Sequence, residues 1–134
     1  MRRLILLATT FAALALPAAA LAASSDTSFT LPRGAGTSRA FRIVVGHTGA
    51  VQVNFRFSDI INPNGRFRIT LRKLSWTSPI VLLDTKNRSR CQGAAGSIIC
   101  SAVRPNTRPG TYIVRVTKLT VKAAPVELRM SWPS

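Results

Sequence analysis

Strict two-residue alternation of apolar and polar side chains is the feature that most restricts what this chain can fold into. It runs through four segments, at 51–58 (VQVNFRFS), 66–72 (RFRITLR), 112–117 (YIVRVT) and 126–132 (VELRMSW). Because successive side chains of a strand point to opposite faces, these segments predict β-strands with one buried and one wet face. Shorter strand candidates lie at 29–31, 40–45, 80–83 and 97–103.

Turn-forming residues separate the predicted strands. Glycine, proline and asparagine cluster at 32–36, 46–49, 62–65 and 108–110, where they favour turns and loops. About eight short strands without a dividing linker predict a single all-β domain over residues 23–134, an antiparallel, jelly-roll-like β-sandwich.

The first 22 residues have the layout of a cleaved signal peptide. A basic start (MRR) precedes an apolar run at 4–16, which ends at Pro17 before the small residues of 18–23. This pattern is typical of secretory signals, and we place the cleavage after Ala22. A membrane anchor is the alternative, but the run falls short of the roughly 20 apolar residues that a span needs. We expect export to the bacterial periplasm or exterior, with no transmembrane segment in the mature chain.

Cysteine usage agrees with export. Cys91 and Cys100 are the only two cysteines, and an even number in an exported chain predicts a disulfide. Their C-x8-C spacing is not a zinc pattern, and no histidine lies nearby.

Acidic residues are too few for most catalytic or metal sites. The chain has 19 Lys and Arg against four Asp and Glu, a net charge of +15. Loss of Arg2 and Arg3 with the signal leaves 17 basic residues and a net charge of +13. The single histidine, His47, lies in a turn composition, and no G-x-S-x-G motif occurs. We expect no enzyme, no cofactor and no metal site, including at the turn-like segment 59–65 (DIINPNG).

From Cys91 onward the order of features resembles the bacterial pre-peptidase C-terminal domain. A cysteine-bounded loop leads to 108–116 (RPGTYIVRV) and then to a final strand, while 36–45 (GTSRAFRIVV) precedes the alternating strand at 51–57. The resemblance implies a jelly-roll-like β-sandwich of the kind often appended to secreted proteases. Here we expect the module to stand alone, without an attached catalytic domain.

One strand departs from the pattern of that family. Its members commonly carry acidic residues there, which in some of them help to bind calcium. In this chain the corresponding segment 66–71 reads RFRITL, with Arg66 and Arg68 at the polar positions. Calcium binding is therefore not implied for this strand.

The arginines of two strands predict an anion-binding face. If 51–58 and 66–73 pair as a hairpin with Phe57 opposite Phe67, Arg56 faces Arg68 and Gln52 faces Arg72. Like charges in such positions are unfavourable unless solvent or an anion screens them. Guanidinium groups bind phosphate, sulfate and carboxylate in bidentate fashion. We therefore predict binding of an anionic envelope polymer, lipopolysaccharide or an acidic glycan, by a set of four residues: Arg56, Arg66, Arg68 and Arg72.

Other interpretations of the same features remain open. The arginines also fit a basic surface that is only solvated, or a module that binds an acidic exported protein as an accessory factor or an inhibitor. We do not expect a dedicated nucleic-acid site. Phe55, Phe57 and Phe67 fall on the buried face, so the wet face that carries the arginines has no aromatic side chains on which bases could stack. Trp76 either forms a platform for a sugar or caps one end of the sandwich.

Overall fold

The computed structural model describes residues 22–134, which form nine β-strands and a one-turn 3₁₀ helix at Arg88–Arg90. The strands are β1 (Ala22–Leu31), β2 (Ser38–Val45), β3 (Gly49–Ser58), β4 (Phe67–Lys73), β5 (Ile80–Asp84), β6 (Cys91–Ala94), β7 (Ser97–Thr107), β8 (Gly110–Lys118) and β9 (Ala124–Pro133). The predicted signal peptide, residues 1–22, lies outside the described residues except for Ala22.

The strands form two antiparallel sheets packed face to face. One has five strands in the order β1-β9-β3-β7-β6, and the other has four in the order β2-β8-β4-β5. The predicted all-β sandwich is therefore confirmed, with one strand more than expected. The additional strand, β6, carries a glycine and no run of apolar residues, so it has no alternation to reveal it.

Aromatic side chains join the two sheets at the centre of the core. Phe55 and Phe57 of β3 and Phe67 of β4 are fully buried. The ring of Phe67 lies 5.0 Å from that of Phe55 and 4.8 Å from that of Phe57, between centroids. Tilted aromatic pairs of this kind contribute about 0.5–1.5 kcal/mol each beyond the area they bury.

The predicted hairpin between β3 and β4 is wrong. β3 lies between β7 and β9 in the five-stranded sheet, whereas β4 lies between β8 and β5 in the other. Both strands bury phenylalanines on one side. Their alternation therefore fits two arrangements equally well, neighbouring strands of one sheet or strands of two sheets that face each other across the core. Residues 59–66 therefore cross from one sheet to the other, and Arg56 does not face Arg68.

The predicted disulfide is confirmed and holds β6 against β7. Cys91 and Cys100 are bonded and lie directly opposite each other in the two strands. The connecting residues Ala95 and Gly96 both have positive φ, 48° and 84°, which is typical of the two-residue turns that suit the twist of a hairpin. The covalent link stabilises a strand that buries little of its own surface.

Lys118 is a fully buried charged residue at the end of β8. Its Nζ donates to three backbone carbonyl oxygens, those of Gly34 at 2.8 Å, Thr120 at 2.6 Å and Val121 at 3.0 Å. Burial lowers the pKa of this ammonium, and repulsion from Arg33 lowers it further. The contacts tie the loop before β2 to the turn after β8, at one end of the four-stranded sheet.

We expect Lys118→Met to lower the free energy of unfolding by roughly 3 kcal/mol, because the three carbonyl oxygens would lose their bond from the buried ammonium. Urea unfolding measures the change. Lys122→Met, at an exposed position in the same turn, is the matched control and should stay within about 0.5 kcal/mol of the parent protein. Equal effects of the two substitutions would show that the buried ammonium does not hold this end together.

Candidate functional site

The outer face of the four-stranded sheet carries a group of arginines. Three of the predicted residues, Arg66, Arg68 and Arg72, lie on or beside β4 with their side chains partly exposed. Arg42 of β2 and Arg115 of β8 point to the same side of the sheet, because their neighbours in sequence are buried. We call these five arginines, together with Asp84 of β5, the basic face.

Strand register separates the arginines of this face from one another. Arg42 of β2 and Arg72 of β4 each lie opposite Ile113 of β8. Arg115 of β8 pairs with Ala40 of β2 on one side and with Thr70 of β4 on the other. Each arginine of the basic face that lies in the β2–β8 and β8–β4 ladders therefore pairs with a neutral residue. Backbones two strands apart are about 10 Å from each other. The charges are therefore spread over the sheet, an arrangement that suits an extended ligand with repeated charges.

Asp84 is the one acidic side chain of the basic face within residues 22–134. It accepts hydrogen bonds from Arg66 at 3.2 and 3.3 Å and from Arg68 at 3.3 and 3.4 Å. The backbone amide of Lys86 donates to it at 3.0 Å. The hydrogen bonds from Arg66 lower the pKa of Asp84 to about 2, despite partial burial, which acts in the opposite direction. One carboxylate thus neutralises one of the five arginines.

The outer face of the five-stranded sheet has balanced charge instead. Arg129 of β9 contacts Asp26 and Glu127, both at 3.0 Å. Arg56, the fourth predicted residue, lies opposite Glu127 in the ladder between β3 and β9. Two arginines therefore accompany two carboxylates on this face, and Arg56 lies on the side of the molecule away from the basic face.

Arg42 and Arg115 were not identified as site residues from the sequence, although their positions in predicted strands already indicated that their side chains point to solvent. Both are polar residues in segments that were predicted as strands, 40–45 and 112–117. The missing information was strand pairing, because only the order β2-β8-β4 brings these residues beside Arg72. The prediction of one continuous four-arginine face is wrong for Arg56, while Arg66, Arg68 and Arg72 do share a surface.

The remaining candidates from the sequence have mainly structural surroundings. Trp76 packs against the core and meets Tyr112 edge to face, with ring centroids 5.7 Å apart, as expected for a cap. His47 is exposed in the turn between β2 and β3. In the crossing segment 59–65, buried Asn62 donates to the carbonyl of Ala123 at 3.4 Å and so joins this loop to the start of β9.

Membrane-spanning helices and clusters of metal-binding side chains are both absent from residues 22–134. In that part of the chain, no helix has the length and apolar character needed to cross a membrane. Nor do three or more His, Cys, Asp or Glu side chains come together there in a way that could hold a metal ion.

Comparisons with known proteins support the fold. The structure is similar to the pre-peptidase C-terminal domain of collagenase from Bacillus anthracis, with a TM-score of 0.52 and 13% identity over 78% of this chain and 86% of that one. The resemblance inferred from the sequence is therefore confirmed at the level of the fold.

Two further similarities are weaker. A protein from Sulfurospirillum deleyianum has a TM-score of 0.46 and 8% identity, covering 79% of this chain and 96% of that one. A family GH115 4-O-methyl-α-glucuronidase has a TM-score of 0.48 and 16% identity, covering 83% of this chain and 14% of that one. No protein-family model matches the sequence, and no curated protein matches it either.

The lowered pKa of Asp84 predicts how stability depends on pH. Because its pKa in the fold, about 2, lies below the ordinary value of 3.8, its stabilising contribution is present above about pH 4 and is lost as the pH falls through 3.8 towards 2. With allowance for solvent screening, Asp84→Asn should lower the free energy of unfolding by about 1–2 kcal/mol at neutral pH. Urea unfolding from pH 6 to pH 2 should show the two proteins converging. A difference that stays constant with pH would contradict this role of the carboxylate.

Proposed function

We propose that this chain is an exported, non-catalytic β-sandwich module that binds an anionic polymer of the bacterial envelope, lipopolysaccharide or an acidic glycan. The binding surface is the basic face on the four-stranded sheet. Export is supported by the sequence pattern of the first 22 residues and by the disulfide between Cys91 and Cys100, since disulfides persist mainly outside the cytoplasm.

The observation that carries the proposal is the unequal distribution of charge between the two sheets. Five arginines share the basic face with Asp84, whereas on the outer face of the other sheet Arg56 and Arg129 accompany two carboxylates. A basic composition alone would distribute arginines over both sheets without such a difference. On a solvent-exposed sheet, guanidinium groups without a carboxylate partner repel one another. A bound polyanion relieves that repulsion and releases its own counterions.

The mechanism of binding is electrostatic and needs no deep pocket. Arg42, Arg72 and Arg115 form no salt bridge with an Asp or Glu side chain within residues 22–134. Arg72 donates to the carbonyl of Trp76 and Arg115 to the hydroxyl of Ser38, which leaves each guanidinium further N–H groups for phosphate, sulfate or carboxylate. Arg66 and Arg68 are each partly exposed, by 37% and 40% of their side chains. They extend the face towards β5, with Asp84 limiting its charge there.

Removal of Arg42 and Arg115 tests the proposal, because neither residue contacts Asp84. We expect Arg42→Gln with Arg115→Gln to weaken binding to heparin and to lipopolysaccharide. The slope of log affinity against log salt should become shallower with each lost contact, by roughly 0.9 for a polymer with the charge density of B-DNA. Titrations at several NaCl concentrations measure that slope. Arg56→Gln with Arg90→Gln removes the same charge outside the basic face and is the matched control.

The outcomes of this titration separate the candidate functions. Equal loss in the two double variants would mean that net charge alone causes retention, and it would overturn the basic face as a site. Saturable one-to-one binding to an acidic exported protein, without polymer binding, would instead favour the accessory-factor or inhibitor function.

A further inference from the structure

A cleft at one end of the sandwich combines aromatic and cationic side chains. It has a volume of about 320 Å³ and lies where β4 and β7 end and β8 begins; its lining residues are Lys73, Trp76, Arg104, Thr107, Arg108 and Tyr112. We call it the end cleft. A second depression, of about 430 Å³, shares Trp76 and Arg104 with it and continues along Ser75, Thr77 and Ser78. Trp76 and Arg104 therefore line both spaces.

The aromatic part of the end cleft is held in place by the surrounding backbone. The hydroxyl of buried Tyr112 donates to the carbonyl of Arg108 at 2.6 Å, and the indole of Trp76 meets the Tyr112 ring at 87°. The amide of Trp76 donates to the carbonyl of Lys73 at 2.8 Å. A rigid aromatic surface of this kind binds a ligand without first having to be ordered.

Three cations surround this aromatic surface. Lys73 extends over the Tyr112 ring, with its Nζ 5.9 Å from the centroid. It can do so because Gly110, with φ of +150°, has no side chain; a Cβ there would lie 2.6 Å from Cε of Lys73. Arg104 and Arg108 line the same cleft with exposed side chains. Their charges act on the Tyr112 hydroxyl, whose pKa burial raises and the two arginines lower.

No Asp or Glu side chain within residues 22–134 forms a salt bridge with Lys73, Arg104 or Arg108. Asp26 and Glu127 contact Arg129, and Asp84 contacts Arg66 and Arg68. The remaining acidic residue, Asp59, directly follows the C-terminal end of β3. Arg104 pairs near the N-terminal end of that strand, opposite Val51. Three cations that line one concave site without an acidic side chain in contact with them point to an anionic ligand.

The indole of Trp76 restricts which anionic ligands fit the end cleft. A bare phosphate would contact the cations but not the indole, and a neutral sugar would pack on the indole without using the positive charges. A uronic acid satisfies both, because its apolar ring face packs on an aromatic side chain while its carboxylate binds guanidinium groups. The end cleft also adjoins the basic face, since Arg72 donates to the carbonyl of Trp76 at 3.3 Å.

We propose that the end cleft binds a uronic acid residue of an acidic glycan whose chain continues along the basic face. This inference rests on the proposed function and selects the acidic glycan over lipopolysaccharide as its ligand. Trp76 is then both the cap of the core and the surface on which the sugar ring packs. Lys73, Arg104 and Arg108 are the groups that bind its carboxylate.

The test uses Trp76 as its own reporter. The chain has two tryptophans, so in a Trp132→Phe background all tryptophan fluorescence comes from Trp76. Trigalacturonate should change that fluorescence saturably, whereas neutral galactotriose and inorganic phosphate should not. Arg104→Gln with Arg108→Gln should weaken trigalacturonate binding at least about tenfold, since charge-assisted hydrogen bonds to the carboxylate are lost. The control pair Arg56→Gln and Arg90→Gln should leave it within about twofold.

Each contrary result has a separate meaning. Equal responses to trigalacturonate and phosphate, or equal losses in the cleft pair and the control pair, would overturn the uronic acid site. If that happened while Arg42→Gln with Arg115→Gln still weakened heparin binding, the proposed function would stand without this site. Trigalacturonate binding that depends on Arg104 and Arg108, with heparin binding unaffected by Arg42 and Arg115, would overturn the basic face and leave the cleft as the binding site.

Discussion

The contact of Phe55 and Phe57 with Phe67 across the core determines how the rest of the surface is arranged. It fixes β3 in one sheet and β4 in the other, with their apolar sides facing each other. The polar sides of these strands must then point in opposite directions. Because the side-chain period of a strand is two residues, this single contact assigns Arg56 to one surface and Arg68 to the other.

The electrostatic character of the molecule follows from that assignment. The outer face of the five-stranded sheet has two of the four acidic residues, Asp26 and Glu127, while the outer face of the four-stranded sheet has Asp84 and five arginines. Strand register then places neutral residues beside Arg42, Arg72 and Arg115, which reduces direct repulsion. The result is a dispersed positive field on one sheet only, and the end cleft adds a concave site with an aromatic wall beside it.

Much of the fold could be predicted from the sequence, because alternation reports which side of a strand is buried. The pairing of strands could not be predicted in this way, because Phe57 and Phe67 give the same alternation whether they are neighbours in one sheet or face each other across the core. β6 was missed because it has no apolar alternation and depends on Cys91 and Cys100. Lys118 continues the inward positions of β8, and only the folded chain shows that carbonyl groups from two loops bind its ammonium. The end cleft draws on three strands, so no local pattern predicts it.

Binding of a polyanion to the outer face of the four-stranded sheet can be followed residue by residue by nuclear magnetic resonance of the arginine Nε–Hε groups during titration with a heparin oligosaccharide. We expect the signals of Arg42, Arg72 and Arg115 to shift together and saturate, while those of Arg56 and Arg129 stay in place. Equal shifts on both sheets, or shifts confined to Arg56 and Arg129, would contradict binding at this face.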